Sequence, residues 1–243
     1  MNLRYLTQSL LDFIFPPLCP LCKRLLPEDE LICPSCLAAL PRTEQHILRQ
    51  NRTEEHFVSI KRFKRGGSFL FYRPVRSFSL LSGDRFHDAG RLLRLIKYYN
   101  RPDLAAYLAA TAAREWEESG FFHDVDLIIP VPLHPHRLRD RGYNQSYYIA
   151  LGLSRVTGIP VDTTHLVRTA NNQHQARMKE SEREKNVQGI FHVLNPEDLV
   201  GRHILLVDDI ITTGSTLRAC IQPLRRLRTC RFSVFALAAT RRS

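Results

Sequence analysis

The chain has 243 residues, room for one sizeable core and a small appendage, and its 44% hydrophobic and 24% charged content is ordinary for a soluble globular protein. Thirty-five Lys and Arg against 24 Asp and Glu leave a net charge of +11, which suits an anionic partner but equally an inert basic surface. No apolar run has the length of a membrane span. The first apolar stretch, Leu10 to Phe15, is broken by Asp12 and lacks a small-residue cleavage site, so the expectation is a cytoplasmic chain with reduced cysteines.

Residues 3–15 read as a short amphipathic helix, with Leu3, Leu6, Leu10, Phe13 and Ile14 near one face, stopped by Pro16-Pro17. It would pack on its own protein or on a partner. Two knuckles follow, Cys19-Pro-Leu-Cys22 and Cys33-Pro-Ser-Cys36. Four thiolates at that spacing make a closed tetrahedral site for a structural Zn²⁺, with no open position for catalysis. The segment between the knuckles is too short for a core, so metal binding must supply most of its folding energy. A redox dithiol or two disulfides are the alternatives, and reduced cysteines argue against both. Cys220 and Cys230 read as small buried hydrophobes.

From Pro41 to about Ser68 the chain is polar and basic, a connector or the far half of a ribbon module. Within it, KRFKR at 61–65 is either a solvated loop or, with Phe63, a nucleic-acid contact. Gly66-Gly67 marks a turn, and residues 68–72 form a strand. The organisation expected is an N-terminal helix, ribbon and connector over 1–60, followed by a second domain over 61–243. Two helices are predicted between Asp88 and Trp116, separated at Arg101-Pro102 with Pro102 in the first turn of the second. A strand covers residues 125–131. Beyond it HPHRLRDRGYNQS reads as a loop crowded with cations, whose Arg137 and Arg141 at the strand's carboxyl end would suit a pyrophosphate. His134 and His136 in that loop read as surface residues rather than metal ligands. A helix from about Gln145 to Thr157 comes next, then short strand signals at 158–161 and 166–167. The polar tract 168–188 fits a mobile hood or an exposed helix equally.

The stretch His203 to Leu217, HILLVDDIITTGSTL, is the most informative. Ile204 to Val207 is a continuous apolar run, as in a strand buried on both faces of a parallel sheet. Asp208 and Asp209 then sit where the strand leaves the sheet, the edge at which open α/β sheets bind ligands. Thr212, Thr213, Gly214, Ser215 and Thr216 form a small hydroxyl-rich loop running into a helix, which offers N–H groups and a favourable dipole to an anion. Paired carboxylates that can accept from vicinal hydroxyls or hold a divalent cation thus stand beside a phosphate cradle. A sugar phosphate meets both demands. No Gly-Lys-Ser/Thr follows, so a Walker-type nucleotide site fits poorly. The helix after the loop carries Leu217, Cys220, Leu224 and Leu227 on one face, with Arg218, Arg225 and Arg226 opposite and Pro223 inside, where it should kink the axis. A final strand at 232–239 completes an alternating β/α plan.

VDDIITTGST resembles the phosphoribosyl-pyrophosphate (PRPP) motif of the type I phosphoribosyltransferases. That resemblance implies that Asp208 and Asp209 hold the ribose hydroxyls and that the loop Thr212 to Thr216 holds the 5′-phosphate, with Mg²⁺ accompanying PRPP. Five ordered motifs together resemble the ComF family of competence-associated proteins: PPLCPLC with CPSC, LIKYY at 95–99, VPLHPHRLRDRGYNQS at 131–146, LVRTANNQHQ with ERxKNVQGIF at 166–191, and LLVDDIITTGSTL. Membership implies an α/β fold, a Rossmann-like parallel sheet of the type I phosphoribosyltransferase kind, with a small N-terminal zinc-ribbon module. It also implies a role in DNA uptake and natural transformation, with PRPP, single-stranded DNA and other competence proteins as partners. Asn172 and His174 depart from the usual pattern. Two functions remain: binding of PRPP or a related nucleotide or sugar phosphate without turnover in a DNA-handling adaptor, or phosphoribosyl transfer to a base or amine. No residue identifies an acceptor or a catalytic base.

Overall fold

A computed structural model describes residues 16–27, 30–48, 51–72, 85–169, 190–227 and 229–240. The helix expected over 3–15 and nearly all of the tract 168–188 lie outside them. The sheet holds four parallel strands in the order β1 (Phe63–Tyr72), β6 (Arg231–Thr240), β5 (His203–Ile211) and β2 (Leu127–Pro130). Ile204 to Val207 are fully buried, as their unbroken apolar run demands. The pleat sends Leu205 and Val207 to one layer, with helices α3 (Arg85–Tyr98), α4 (Pro102–Glu115) and α6 (Gln145–Thr157). Ile204 and Leu206 face the other, where Leu217, Cys220, Ile221 and Leu224 of α7 (Ser215–Leu224) cover them. A two-stranded antiparallel ribbon, β3 (Leu166–Arg168) with β4 (Phe191–Val193), packs on that second layer. The predicted phosphoribosyltransferase-like sheet is thus the one observed.

Three local expectations change. Gly66-Gly67 is no turn but the middle of β1, because β6 and Trp116 press against it. A Cβ on Gly66 would stand 3.0 Å from Val234 Cγ2, and one on Gly67 3.0 Å from Trp116 Cη2. Glycine in a strand often marks such a close approach. The cation-rich loop after β2 contains a short helix, α5 (Pro135–Arg141), with Pro135 at N1, His134 accepting from the His136 N–H, and Gly142 closing it at φ +78°. No apolar face announced it, since residues 135–140 are all exposed. The expected strand at 158–161 reduces to one bridge, Val161 to Ile128, because Gly158 is spent ending α6 at φ +74°. Pro223 is the penultimate residue of α7, so the missing N–H falls in the last turn.

β1 is a sheet edge, and residues 41–48 and 51–60 cover it. Phe71 N–H donates to the Pro41 carbonyl and Thr43 N–H to that of Phe69. Behind them lies a closed polar network. Gln45 Oε1 accepts from Thr53 Oγ1, Ser68 N and Ser68 Oγ at 2.6, 3.1 and 3.0 Å, while Asn51 Nδ2 donates to the Gly66 carbonyl at 2.8 Å. All four polar side chains are buried, so the bonds are obligatory rather than decorative. Short helices α1 (Pro34–Ala39) and α2 (Arg52–Glu55) flank the segment. The cysteine module shares a core with α3 and α4: Cys19, Ile32, Cys33 and Leu40 pack in the cluster that holds Leu92, Leu108 and Trp116. Arg42 clamps it by a two-point contact with Glu115, at 2.8 and 2.9 Å.

Candidate functional site

Two centres emerge. In the first, the Sγ atoms of Cys19, Cys22, Cys33 and Cys36 all lie within 4.8 Å of one another, and Cys22 and Cys33 are 3.6 Å apart. Four thiolates around one Zn²⁺ at ~2.3 Å sit about 3.8 Å from each other, so the donor set fits a closed tetrahedral zinc. Burial raises the Cys19 thiol, yet backbone N–H groups of Cys22, Cys33 and Leu21 overcome this and bring it down to about 6. Burial and the three neighbouring sulfurs push Cys36 strongly upward. Four such thiols ionise together only around a cation.

The second centre lies at the carboxyl ends of β5 and β2, which pair as far as Val207 with Pro130. Asp208 stays in the sheet opposite Ala236. Its Oδ1 accepts from Ser146 Oγ at 3.2 Å and from Asp209 N–H at 2.8 Å. Burial, and then the negative charge of Asp209, raise its carboxyl to about 7. Asp209 is held differently: Lys97 Nζ at the end of α3 stands 3.0 Å from its Oδ2. Ser146 is pinned because Asn144 both caps α6, accepting from the Ser146 N–H at 3.1 Å, and donates to the Val131 carbonyl at 3.0 Å. One asparagine therefore ties the start of α6 to the end of β2.

Next to the carboxylates the loop Thr212–Gly214 leads into α7. Gly214 takes φ +70° at the N-cap, a conformation that favours glycine, and a Cβ there would stand 3.0 Å from His56 Cβ. Thr213 Oγ1 donates to Ser215 Oγ at 3.2 Å. Thr212 is exposed, and Thr213, Ser215 and Thr216 are half-buried. Arg218 does not join a solvent-facing cationic stripe as expected: its guanidinium donates to the His56 carbonyl, so the cover over β1 also walls the loop.

The cations divide. Arg137 on α5 is exposed. Arg141 donates to Gln145 Oε1 at 3.1 Å and stands 5.9 Å from the centre of the Tyr98 ring. Arg168, at the end of β3, is half-buried, and its Nε is buried without a partner among the described residues. Burial and then the charge of Arg137 lower its pKa, and its guanidinium stands 5.5 Å from the centre of the Phe191 ring. Burial, then His136 and the neighbouring arginines, lower the pKa of His134, whose Nδ1 caps α5. Lys97, Ser146 and Arg168 were not singled out as site residues from sequence. Each stood inside a quoted motif, but what it touches is set by packing.

A double zinc ribbon domain family matches residues 10–47, and a phosphoribosyl transferase domain family matches residues 145–243. The DNA utilization protein YhgH of Shigella flexneri is 27% identical over 226 residues, 92% of this chain and 90% of that protein. Competence protein F of Haemophilus influenzae is 29% identical over 176 residues, 71% and 77% of the two chains. The chain is a ComF/YhgH-type homologue. Competence protein ComFC of Bacillus subtilis extends the similarity, at 27% identity over 215 residues, 88% of this chain and 73% of its own. In this chain all four cysteines fall in the ribbon match, and Ser146, Asp208, Asp209 and the loop fall in the transferase match. Lys97 and Arg137 lie ahead of the latter. The described residues include no helix long and apolar enough to cross a membrane.

Proposed function

We propose that this ComF-type chain binds PRPP and acts in the cytoplasm in DNA uptake, handling imported single-stranded DNA alongside other competence proteins. The observation that carries the binding half is the pair Asp208 and Asp209, set at a strand end between Ser146 and Lys97 and followed by a Gly214-capped hydroxyl loop. The carboxylates would accept from the ribose 2′- and 3′-hydroxyls. Thr212 to Thr216 and the first N–H groups of α7 would take the 5′-phosphate. Mg²⁺ fits an all-oxygen donor set completed by the ligand's phosphates, and when bound it would neutralise pyrophosphate charge. The DNA half rests on the relatives' names and on the net charge of +11. Calorimetry with Mg²⁺-PRPP tests the binding half. Asp208→Ala/Asp209→Ala should abolish the heat while the protein stays folded, and equal affinity in that variant would remove the assignment.

A second reading, transfer of ribose 5-phosphate from PRPP to a base or amine, draws on the cations at the ends of β2 and β3. Arg137, with Arg141 beside it on α5, and half-buried Arg168 are suited to a departing pyrophosphate. Pyrophosphate release from PRPP with a panel of bases and amines distinguishes the two readings. Release at turnover rates makes the chain an enzyme, and none with any acceptor leaves it a binding protein.

A further inference from the structure

Phe63, the aromatic that the sequence offered to a nucleic acid, is not available, and neither is Tyr143 beside the arginines of α5. Phe63 stacks on Phe57 with ring centroids 5.0 Å apart, and Tyr143 is buried with its hydroxyl donating to the Ile96 carbonyl. The Tyr143 contact ties the end of α3 to the α5–α6 corner, and there two other rings face solvent. Tyr98 is 68% exposed and Tyr99 62%. They follow directly on Lys97, whose ammonium is held by Asp209.

Rings of this size ordinarily bury most of their surface, so two adjacent ones left bare next to a charged centre call for an occupant. Its chemistry is legible from the surroundings. Arg141 lies over the Tyr98 ring and is fixed there by Gln145 Oε1, which gives a flat aromatic face with a guanidinium alongside. Arg141 also ends α5, whose exposed surface carries Arg137 and Arg139. A ring for a base, with arginines on the adjoining helix for its phosphates, is the combination that binds unpaired nucleotides.

We propose that Tyr98 and Tyr99, with Arg141, form a stacking platform for an unpaired nucleobase of a single strand whose phosphates run along α5. The platform rests on the single-strand half of the proposed function and names the surface that serves it. Duplex DNA does not suit it, because bases inside the stack cannot lie on a protein ring. The platform adjoins the Asp208–Asp209 centre through Lys97, so a strand lying on it would pass the mouth of the PRPP site.

The test compares a labelled oligothymidylate with an abasic strand of equal length and charge, by fluorescence anisotropy on the full chain. Wild type should prefer the base-bearing strand by about 10-fold, the scale of one stacked base. Tyr98→Ala should erase most of that preference while keeping the salt slope, which counts phosphates; Tyr98→Phe should retain it. Thymidine 5′-monophosphate should compete only weakly. Equal wild-type affinity for the two strands would overturn the platform while leaving single-strand binding standing, and needs no variant. An undiminished preference in Tyr98→Ala/Tyr99→Ala would overturn it too. Displacement by the mononucleotide as effective as by the strand would make the occupant a free nucleotide instead. No binding of either strand at low salt would remove both the platform and the reading beneath it.

Discussion

Lys97 Nζ lies 3.0 Å from Asp209 Oδ2, both side chains at most a fifth exposed, and this contact joins the end of α3 to the end of β5 across the candidate site. Two carboxylates side by side in a partly desolvated place repel each other. The ammonium sits against Asp209, while burial, and then the negative charge of Asp209, raises the Asp208 carboxyl to about 7. The site therefore carries a built-in cation where a divalent ion or the ligand's hydroxyls would come.

Lys97→Met is expected to destabilise the chain at pH 8, on the order of 2–3 kcal/mol, below the ~3–5 kcal/mol of a fully buried broken pair. At pH 5, where Asp208 holds a proton, the loss should shrink. Mg²⁺ should raise the melting temperature of the variant more than that of wild type. Thermal denaturation at both pH values, with and without Mg²⁺, reads this; equal losses at the two pH values would refute it.

The Asp208 carboxyl titrates at about 7 in the folded chain, well above its ordinary 3.8. Between those values the native state binds the extra proton, so this group's contribution to stability falls as pH rises through the window and is lost above about 7. Asp208→Asn should remove that slope and melt higher than wild type at pH 8, by about 2–4 °C per kcal/mol relieved. PRPP binding, which needs the ionised carboxylate, should instead strengthen towards pH 8. A pH series of melting curves and calorimetric titrations separates the opposite signs.

Removing one zinc ligand should unsettle more than the ribbon, because Cys19 and Cys33 share their core with Leu92, Leu108 and Trp116. Metal analysis should find one zinc per chain in wild type and none after Cys33→Ser. The variant should melt markedly lower, with α3 and α4 losing amide-exchange protection along with the ribbon. A zinc-free Cys33→Ser that melts like wild type would refute it.

Gly67→Ala should cost about 1–3 kcal/mol, since the new methyl meets the Trp116 ring at 3.0 Å in a packed layer. Denaturant midpoints measure this. A turn at residues 66–67 would accept the change without loss.

Single-strand affinity should fall linearly against salt in log–log form, with a slope of about −0.7 per phosphate neutralised. Within 61–65 the exposed cations are Lys61 and Lys64; Arg62 and Arg65 donate to the carbonyls of Arg225 and Gly120. Charge reversal of Lys61 and Lys64 should therefore flatten the slope only slightly, and reversal of Arg137 and Arg139 more. Anisotropy across a salt series gives the ranking, and the opposite order would place the strand on the β1 side.

What the sequence by itself determined was whatever is encoded by neighbours along the chain. The cysteine knuckles, the buried run Ile204 to Val207, the aspartates at its end and the glycine-containing loop are local patterns, and a strand–loop–helix needs only local chemistry to be legible. The helix Gln145–Thr157, bounded by Asn144 and Gly158, was legible for the same reason. Tertiary structure decided everything that depends on who lies opposite. Gly66-Gly67 reads as a turn until Trp116 and Val234 press on it, and the polar segment 45–56 reads as a connector until β1 needs its edge covered. Arg218 reads as a surface charge until the His56 carbonyl arrives. Lys97 meets Asp209 only because α3 ends beside β5, 112 residues apart in the chain, and Tyr143 turns inward to donate to the Ile96 carbonyl while Tyr98 stays exposed. Local propensity reports hydrogen bonds a segment makes with itself; burial and charge pairing belong to the packed whole.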